Sequence, residues 1–176
     1  METTPNPHRT SGTVMLAIAW LLLFGGAYWA FEQWHQRQEN PNPQSVLLAQ
    51  QGSEVVLLRN NAGSYVAAGE INGHKVVFLL DTGASQVALS SALAQSMGLH
   101  RGAAVRVQTA NGLTLGYQTR LASVQLGPIE VRDVAALVTD GIKGEDVLLG
   151  MSFLKQLEFT QRDNQLTIKP LHSPNI

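Results

Sequence analysis

Val76-Val77-Phe78-Leu79-Leu80-Asp81-Thr82-Gly83-Ala84-Ser85 is the stretch whose reading decides the fold. Its five leading apolar residues leave no wet face, which marks a strand buried on both sides. The run passes directly into Asp81, a residue type seldom buried unless it is paired or functional. Thr82 brings a small hydroxyl and Gly83 a backbone free to turn tightly. A carboxylate delivered by an apolar strand onto a glycine turn suggests catalysis. The same tripeptide also serves as a plain strand-ending turn, so the rest of the chain must choose between the two readings.

Around this stretch the signal is all-β. From Glu54 onward short strands recur, with turn signals about every ten residues. Glu54–Arg59 and Ser64–Ile71 flank Asn60-Asn61-Ala62-Gly63 and read as a hairpin. Asn72-Gly73, a strong two-residue hairpin signal, leads into the strand ending at Asp81. Val87–Ser90 continues as strand, and 91–98 reads as a short helix capped by Ser90 or Ser91 and stopped by Gly98. Val105–Thr109 and Leu113–Leu126 flank Asn111-Gly112, a second hairpin turn. Ile129–Val131 and Val134–Val138 follow as strands, and 139–146 as a polar loop. Val147-Leu148-Leu149-Gly150 is another wholly apolar strand ending on glycine. A helix capped by Ser152 is expected through Leu157, and Gln165–Lys169 as the last strand.

Nearer the N-terminus, Val14 to Phe31 carries no charge. At about 1.5 Å per residue it spans roughly 27 Å as a helix, close to the hydrocarbon core of a bilayer. Tyr28, Trp29 and Trp34 cluster at its C-terminal end as half of an aromatic belt. Tyr28 and Trp29 separate Ala27 from Ala30, so no small-x-small cleavage site follows the run, and a retained anchor is expected rather than a signal peptide. Arg9 precedes the run and Arg37 follows it among acids, a slight bias toward a cytoplasmic N-terminus and a periplasmic domain on a bacterial inner membrane. The expected organisation is a disordered tail (1–12), a transmembrane helix (13–31), a polar Gln/Asn/Pro linker (32–53), the domain (54–170) and a C-terminal tail (171–176).

Across 176 residues the charged fraction is 14% and the net charge −1, which gives no basic face for nucleic acid. With no cysteine there is no thiol nucleophile, disulfide or thiolate metal site. The five histidines lie far apart without ligand spacing, so neither metal nor cofactor is expected.

In this order, Asp81-Thr82-Gly83-Ala84, the hairpin Gln108-Thr109-Ala110-Asn111-Gly112, and Leu148-Leu149-Gly150 followed by a short helix resemble the retropepsin-like aspartic proteases. The likeness is to a bacterial branch carrying a single membrane helix, and it covers about 54–170. It implies a closed half-barrel of short antiparallel strands with one or two short helices behind one transmembrane helix. It also implies a membrane-anchored endopeptidase that cuts extended polypeptides. The chemistry needs two carboxylates sharing one proton, one activating water and the other polarising the scissile carbonyl. Like charges so close titrate in two steps. This chain has one Asp-Thr-Gly. Asp133, Asp140, Asp146 and Asp163 lack its context, so a homodimer with one Asp81 per subunit follows.

By the same resemblance Thr82 reaches across the two-fold axis to the partner's backbone. The Gly83 amide donates to a carboxylate oxygen, and Ala84 keeps the turn small. Leu149 and Gly150 pack behind the turn, and Thr109, Ala110, Asn111 and Gly112 form a flap over the substrate. Local sequence reads Asn111-Gly112 equally as an ordinary turn. Met151 and Ser152 stand where retroviral relatives often place an interface arginine. The linker is also a candidate for self-cleavage. The competing expectation is a non-catalytic peptide-binding or dimerisation module of the same fold at the membrane.

Overall fold

The computed structural model describes residues 7–42, 54–109, 112–142, 144 and 146–171. The chain divides into two units, Met1–Gln38 and Glu39–Ile176.

The first unit holds helix α1, Pro7–Glu39. It extends past the apolar run at both ends, into the expected N-terminal tail from Pro7 and into the expected linker as far as Glu39. Its segment Met15–Gln33 has a mean hydropathy of 1.5 and none of it is buried, so it is long and apolar enough to cross a membrane. Trp20 and Phe24, one turn apart, stack at 5.5 Å between ring centroids.

The second unit is built on a closed barrel. Strands β2 (Val66–Ile71) and β3 (His74–Leu80) pair as a hairpin through Asn72 and Gly73, both at positive φ. That is the backbone a two-residue turn with right-handed twist demands. From β3 the order runs through β8 (Asp146–Leu149), β4 (Val87–Ser90), β7 (Ile129–Thr139) and β6 (Gly112–Leu126), and β6 pairs back onto β2. Gly69 makes that closure physical, because a Cβ there would overlap the Gln125 carbonyl and the Phe78 ring. Asn72 secures it: its Oδ1 accepts from Ser123 N–H at 2.9 Å. Strand β5 (Ala104–Thr109) hangs on the free part of β6 as a projecting hairpin. Phe78, Leu89, Leu121, Leu149 and Phe153 fill the core and are fully buried.

The closed, mostly β architecture matches expectation, but several details differ. Two barrel pairings, β3–β8 and β4–β7, are parallel. The strand β1 (Val55–Leu58) does not form a hairpin with β2. It pairs with β10 (Gln165–Pro170), and only an isolated bridge joins Arg59 to Tyr65. The reason lies in Asn42, which is 5% exposed. Its Nδ2 donates to the carbonyls of Leu58 and Val66, each at 2.8 Å, and its Oδ1 accepts from Leu58 N–H at 2.8 Å. A side chain thereby occupies the groups through which β1 would have paired with β2. The residue expected in a loose tether is a wedge between two sheets.

The two strands expected at 129–131 and 134–138 are one. Asp133 takes φ 54° but the register against β6 is the same on either side, Ser123↔Arg132 and Leu121↔Val134. Helix α2 (Ser91–Ser96) is capped by Ser90, whose side chain accepts from Leu93 N–H, and Gly98 follows it at φ 64°. Helix α3 is short, Met151–Leu154, and is capped by Gly150 rather than Ser152. The chain then enters β9 (Leu157–Arg162), a strand absent from the sequence reading, which pairs with β10. Residues 43–53 of the expected linker and the tail beyond Leu171 lie outside the described residues.

Candidate active site

β3 ends at Leu80, and Asp81 stands on the turn beyond it. The parallel neighbour β8 ends level with it, Leu80 opposite Leu149, and Asp81 N–H donates to the Leu149 carbonyl at 3.3 Å. The carboxylate is half-buried, and its Oδ1 accepts from Gly83 N–H at 2.8 Å. Ala84 N–H closes the turn onto the Asp81 carbonyl at 3.2 Å. Thr82, Gly83 and Ser85 are exposed, so the turn presents itself at the surface of the single chain.

Behind the turn sits Gly150. A Cβ there would lie 2.6 Å from the Ala84 carbonyl oxygen and would also overlap that of Gln86. Glycine is what lets the two segments touch. Met151 N–H then donates to the Ala84 carbonyl at 2.8 Å. Buried Ser152 accepts, through its Oγ, the Val87 N–H at 2.9 Å. The structure thus brings Asp81, Thr82, Gly83 and Ala84 together with Leu148, Leu149 and Gly150. Ser152 belongs to the same cluster, although the sequence offered it only as a helix cap.

The β5–β6 hairpin projects with Thr109 opposite Gly112, and Gly112 holds φ 106°. Ala110 and Asn111 lie outside the described residues. Gln86, in the segment that follows the turn, lines an open cavity of about 570 Å³ with His100, Gly102, Gln118, Thr119 and Arg120. Gln86 Oε1 is buried there with no hydrogen-bond partner among the described residues.

The other aspartates stand in different settings. Asp133 pairs with Arg120 at 2.6 Å on an exposed surface, and Asp163 lies in the β9–β10 turn at φ 50°. Exposed Asp146 begins β8 opposite Val77, at the far end of that strand from Asp81. Asp140 is exposed on the segment after β7. Among the described residues no group of His, Cys, Asp or Glu is arranged to hold a metal.

A half-buried aspartate on a glycine turn, braced by a second apolar strand in a barrel that also carries a projecting hairpin, is the arrangement of one half of an aspartic protease. Residues 67–156 match the family model described as "gag-polyprotein putative aspartyl protease". The chain belongs to the retropepsin-like aspartic protease family. It is 34% identical over 134 residues to an uncharacterized protein in the cobV 5′ region of Sinorhizobium sp, covering 73% of this chain and 58% of the relative. It is 33% identical over 119 residues to an uncharacterized protein of Rickettsia prowazekii (strain Madrid E), covering 65% of this chain and 50% of the relative. The chain therefore spans little more than half the length of the curated relatives it matches. Among solved structures it is similar to a retropepsin-like aspartic protease from Rickettsia conorii. That match has a TM-score of 0.56 and 30% identity, and it covers 66% of this chain and 99% of the other.

Proposed function

We propose that this chain is a membrane-anchored aspartic endopeptidase, active as a homodimer in which each subunit supplies one Asp81. The observation that carries the proposal is Asp81 itself, half-buried at the end of β3, with Gly83 N–H on one carboxylate oxygen and the turn open at the surface. Two such turns meeting on a two-fold axis place two carboxylates about one water. One takes its proton while the other, protonated, polarises the scissile carbonyl. The Gly83 amide and the Leu149 and Gly150 brace hold the acceptor oxygens in place, so the catalytic geometry costs no reorganisation during reaction. Thr82 is exposed and makes no hydrogen bond among the described residues, consistent with a partner across the axis.

The β5–β6 hairpin acts as the flap. An extended polypeptide lies beneath it, its backbone adding as a strand, and its side chains reach the cavity at Gln86 and Arg120. The domain spans 54–170, with Asn42 as part of it. α1 anchors the protein, with the N-terminus in the cytoplasm and the domain in the periplasm.

Full-length protein in detergent, incubated with a diverse peptide mixture, tests the reading. Cleavage by wild type that is absent with Asp81→Asn supports it. No cleavage from a preparation shown to be folded and dimeric rules out the catalytic part.

A further inference from the structure

Single exposed apolar side chains are ordinary on a protein surface, but a cluster of them among charges of one sign is not. The β5–β6 hairpin carries such a cluster. Directly paired residues share a side of the ladder, so Gln108 with Leu113, Arg106 with Leu115 and Ala104 with Tyr117 make up one face. Gly116 belongs to the other face, where a Cβ would meet Val107 Cγ2 at 2.9 Å and Leu137 Cδ1 at 3.0 Å. That second face turns toward β7, and the first turns away from it. On the first, Leu113 is 73% exposed and Leu115 50%. Leu113 is as bare as Leu21 and Leu22 of α1, at 73% each, and among the described residues outside α1 no large apolar side chain is more exposed.

The charge on this face is all positive. Arg106 is exposed opposite Leu115, and the Arg101 guanidinium lies 5.1 Å from the centroid of the Tyr117 ring. From Thr82 to Ile129 the sequence holds Arg101, Arg106 and Arg120 and no Asp or Glu. Among the described residues Arg120 pairs with Asp133 of β7, whereas Arg101 and Arg106 meet no carboxylate.

We propose that this face rests on an anionic lipid surface, with Leu113 and Leu115 in the headgroup region and Arg101 and Arg106 on lipid phosphates. The proposal rests on the reading of α1 as a membrane anchor, which brings a bilayer to the domain. Leucine contributes the apolar area. Arginine covers apolar surface with its stem while its forked head bonds phosphate. The negative potential of an anionic leaflet adds an attraction that a stretch without carboxylates does not oppose. The face toward β7 is left to the substrate.

The chain has no cysteine, and its three tryptophans, Trp20, Trp29 and Trp34, all belong to α1. Hairpin and anchor can therefore be read separately in one sample. Full-length Gln108→Cys, carrying an environment-sensitive fluorophore, is reconstituted into vesicles of phosphatidylcholine and phosphatidylglycerol in equal parts, with nitroxide-labelled lipid as quencher. Glu130→Cys, paired with Gln125 at the far end of β6, is the control. Quenching is expected at 108 and not at 130, and much less of it in phosphatidylcholine alone. Arg106→Gln should move the equilibrium about fivefold toward the undocked state. Leu113→Ser combined with Leu115→Ser should abolish quenching at 108.

Quenched tryptophans beside an unquenched label at 108, or equal quenching at 108 and 130, overturn the proposal and leave the anchor standing. Quenching at 108 that ignores both phosphatidylglycerol and the paired serine changes overturns it as well. Emission at 108 that follows protein density rather than lipid composition gives the face to a second copy of the chain, against the proposal. Quenching at 108 with unquenched tryptophans upholds the lipid face and removes the anchor reading.

Discussion

Ser152 Oγ accepts the backbone N–H of Val87 at 2.9 Å, both residues buried and 65 positions apart in the chain. This bond ties α3 to the strand that leaves the Asp81 turn. Ser152→Ala strands a buried N–H, which costs about 1–3 kcal/mol. A midpoint lower by several degrees is expected in thermal unfolding. Ser152→Thr keeps an acceptor in place and should recover part of the loss.

Gly150→Ala is the harsher change. Its methyl group meets two backbone carbonyls that cannot rotate away, so β8 and the turn must separate. Overpacking typically costs about 1–3 kcal/mol, and contact with fixed backbone puts this change at the upper end. The expected result is a strongly destabilised domain, and activity lost even where folded protein is recovered. Circular dichroism together with the peptide assay checks both.

Asn42→Ala removes three hydrogen bonds and leaves the Leu58 and Val66 groups without them. A loss of about 2–4 kcal/mol is expected. Asn42→Asp keeps the acceptor but cannot donate to the two carbonyls, so it should be nearly as damaging. Denaturant midpoints of the three proteins, measured with unchanged slope, decide the point.

Asp81→Asn retains an oxygen that can accept from Gly83 N–H, so the turn should persist and the unfolding midpoint should move little. Activity should fall at least about a thousandfold, since the general base is gone. The variant also removes the cost of bringing two carboxylates together at the proposed axis, so it should dimerise at least as tightly as wild type at neutral pH. Sedimentation equilibrium beside the peptide assay separates these effects.

How much could be read beforehand depended on whether the signal was local. The strand into Asp81, the Asn72-Gly73 turn, the Ser90 cap and the apolar strand before Gly150 were legible, because each carries its pattern within a few residues. What failed was long-range. Asn42 lies between two prolines in a polar stretch, and nothing nearby shows that it bonds Leu58 and Val66. Its wedge in turn sends β1 to β10 instead of β2. β9 was missed because five of its six residues are exposed and two are charged, a pattern that also fits a loop. Ser152 looked like a cap because serine before an apolar stripe usually is one, whereas Gly150 caps the helix from a conformation set by its contact with the turn.

Asn42 also settles what a cut in the connecting segment would leave behind. Severing the chain within 34–39 releases a product that keeps its own wedge. Severing it within 43–53 leaves the wedge on the α1 fragment, no longer joined by the chain to the Leu58 and Val66 groups it bonds. Two sites a dozen residues apart would then yield products of very different lifetime. The position of a nick, rather than the fact of one, would decide whether the released domain survives.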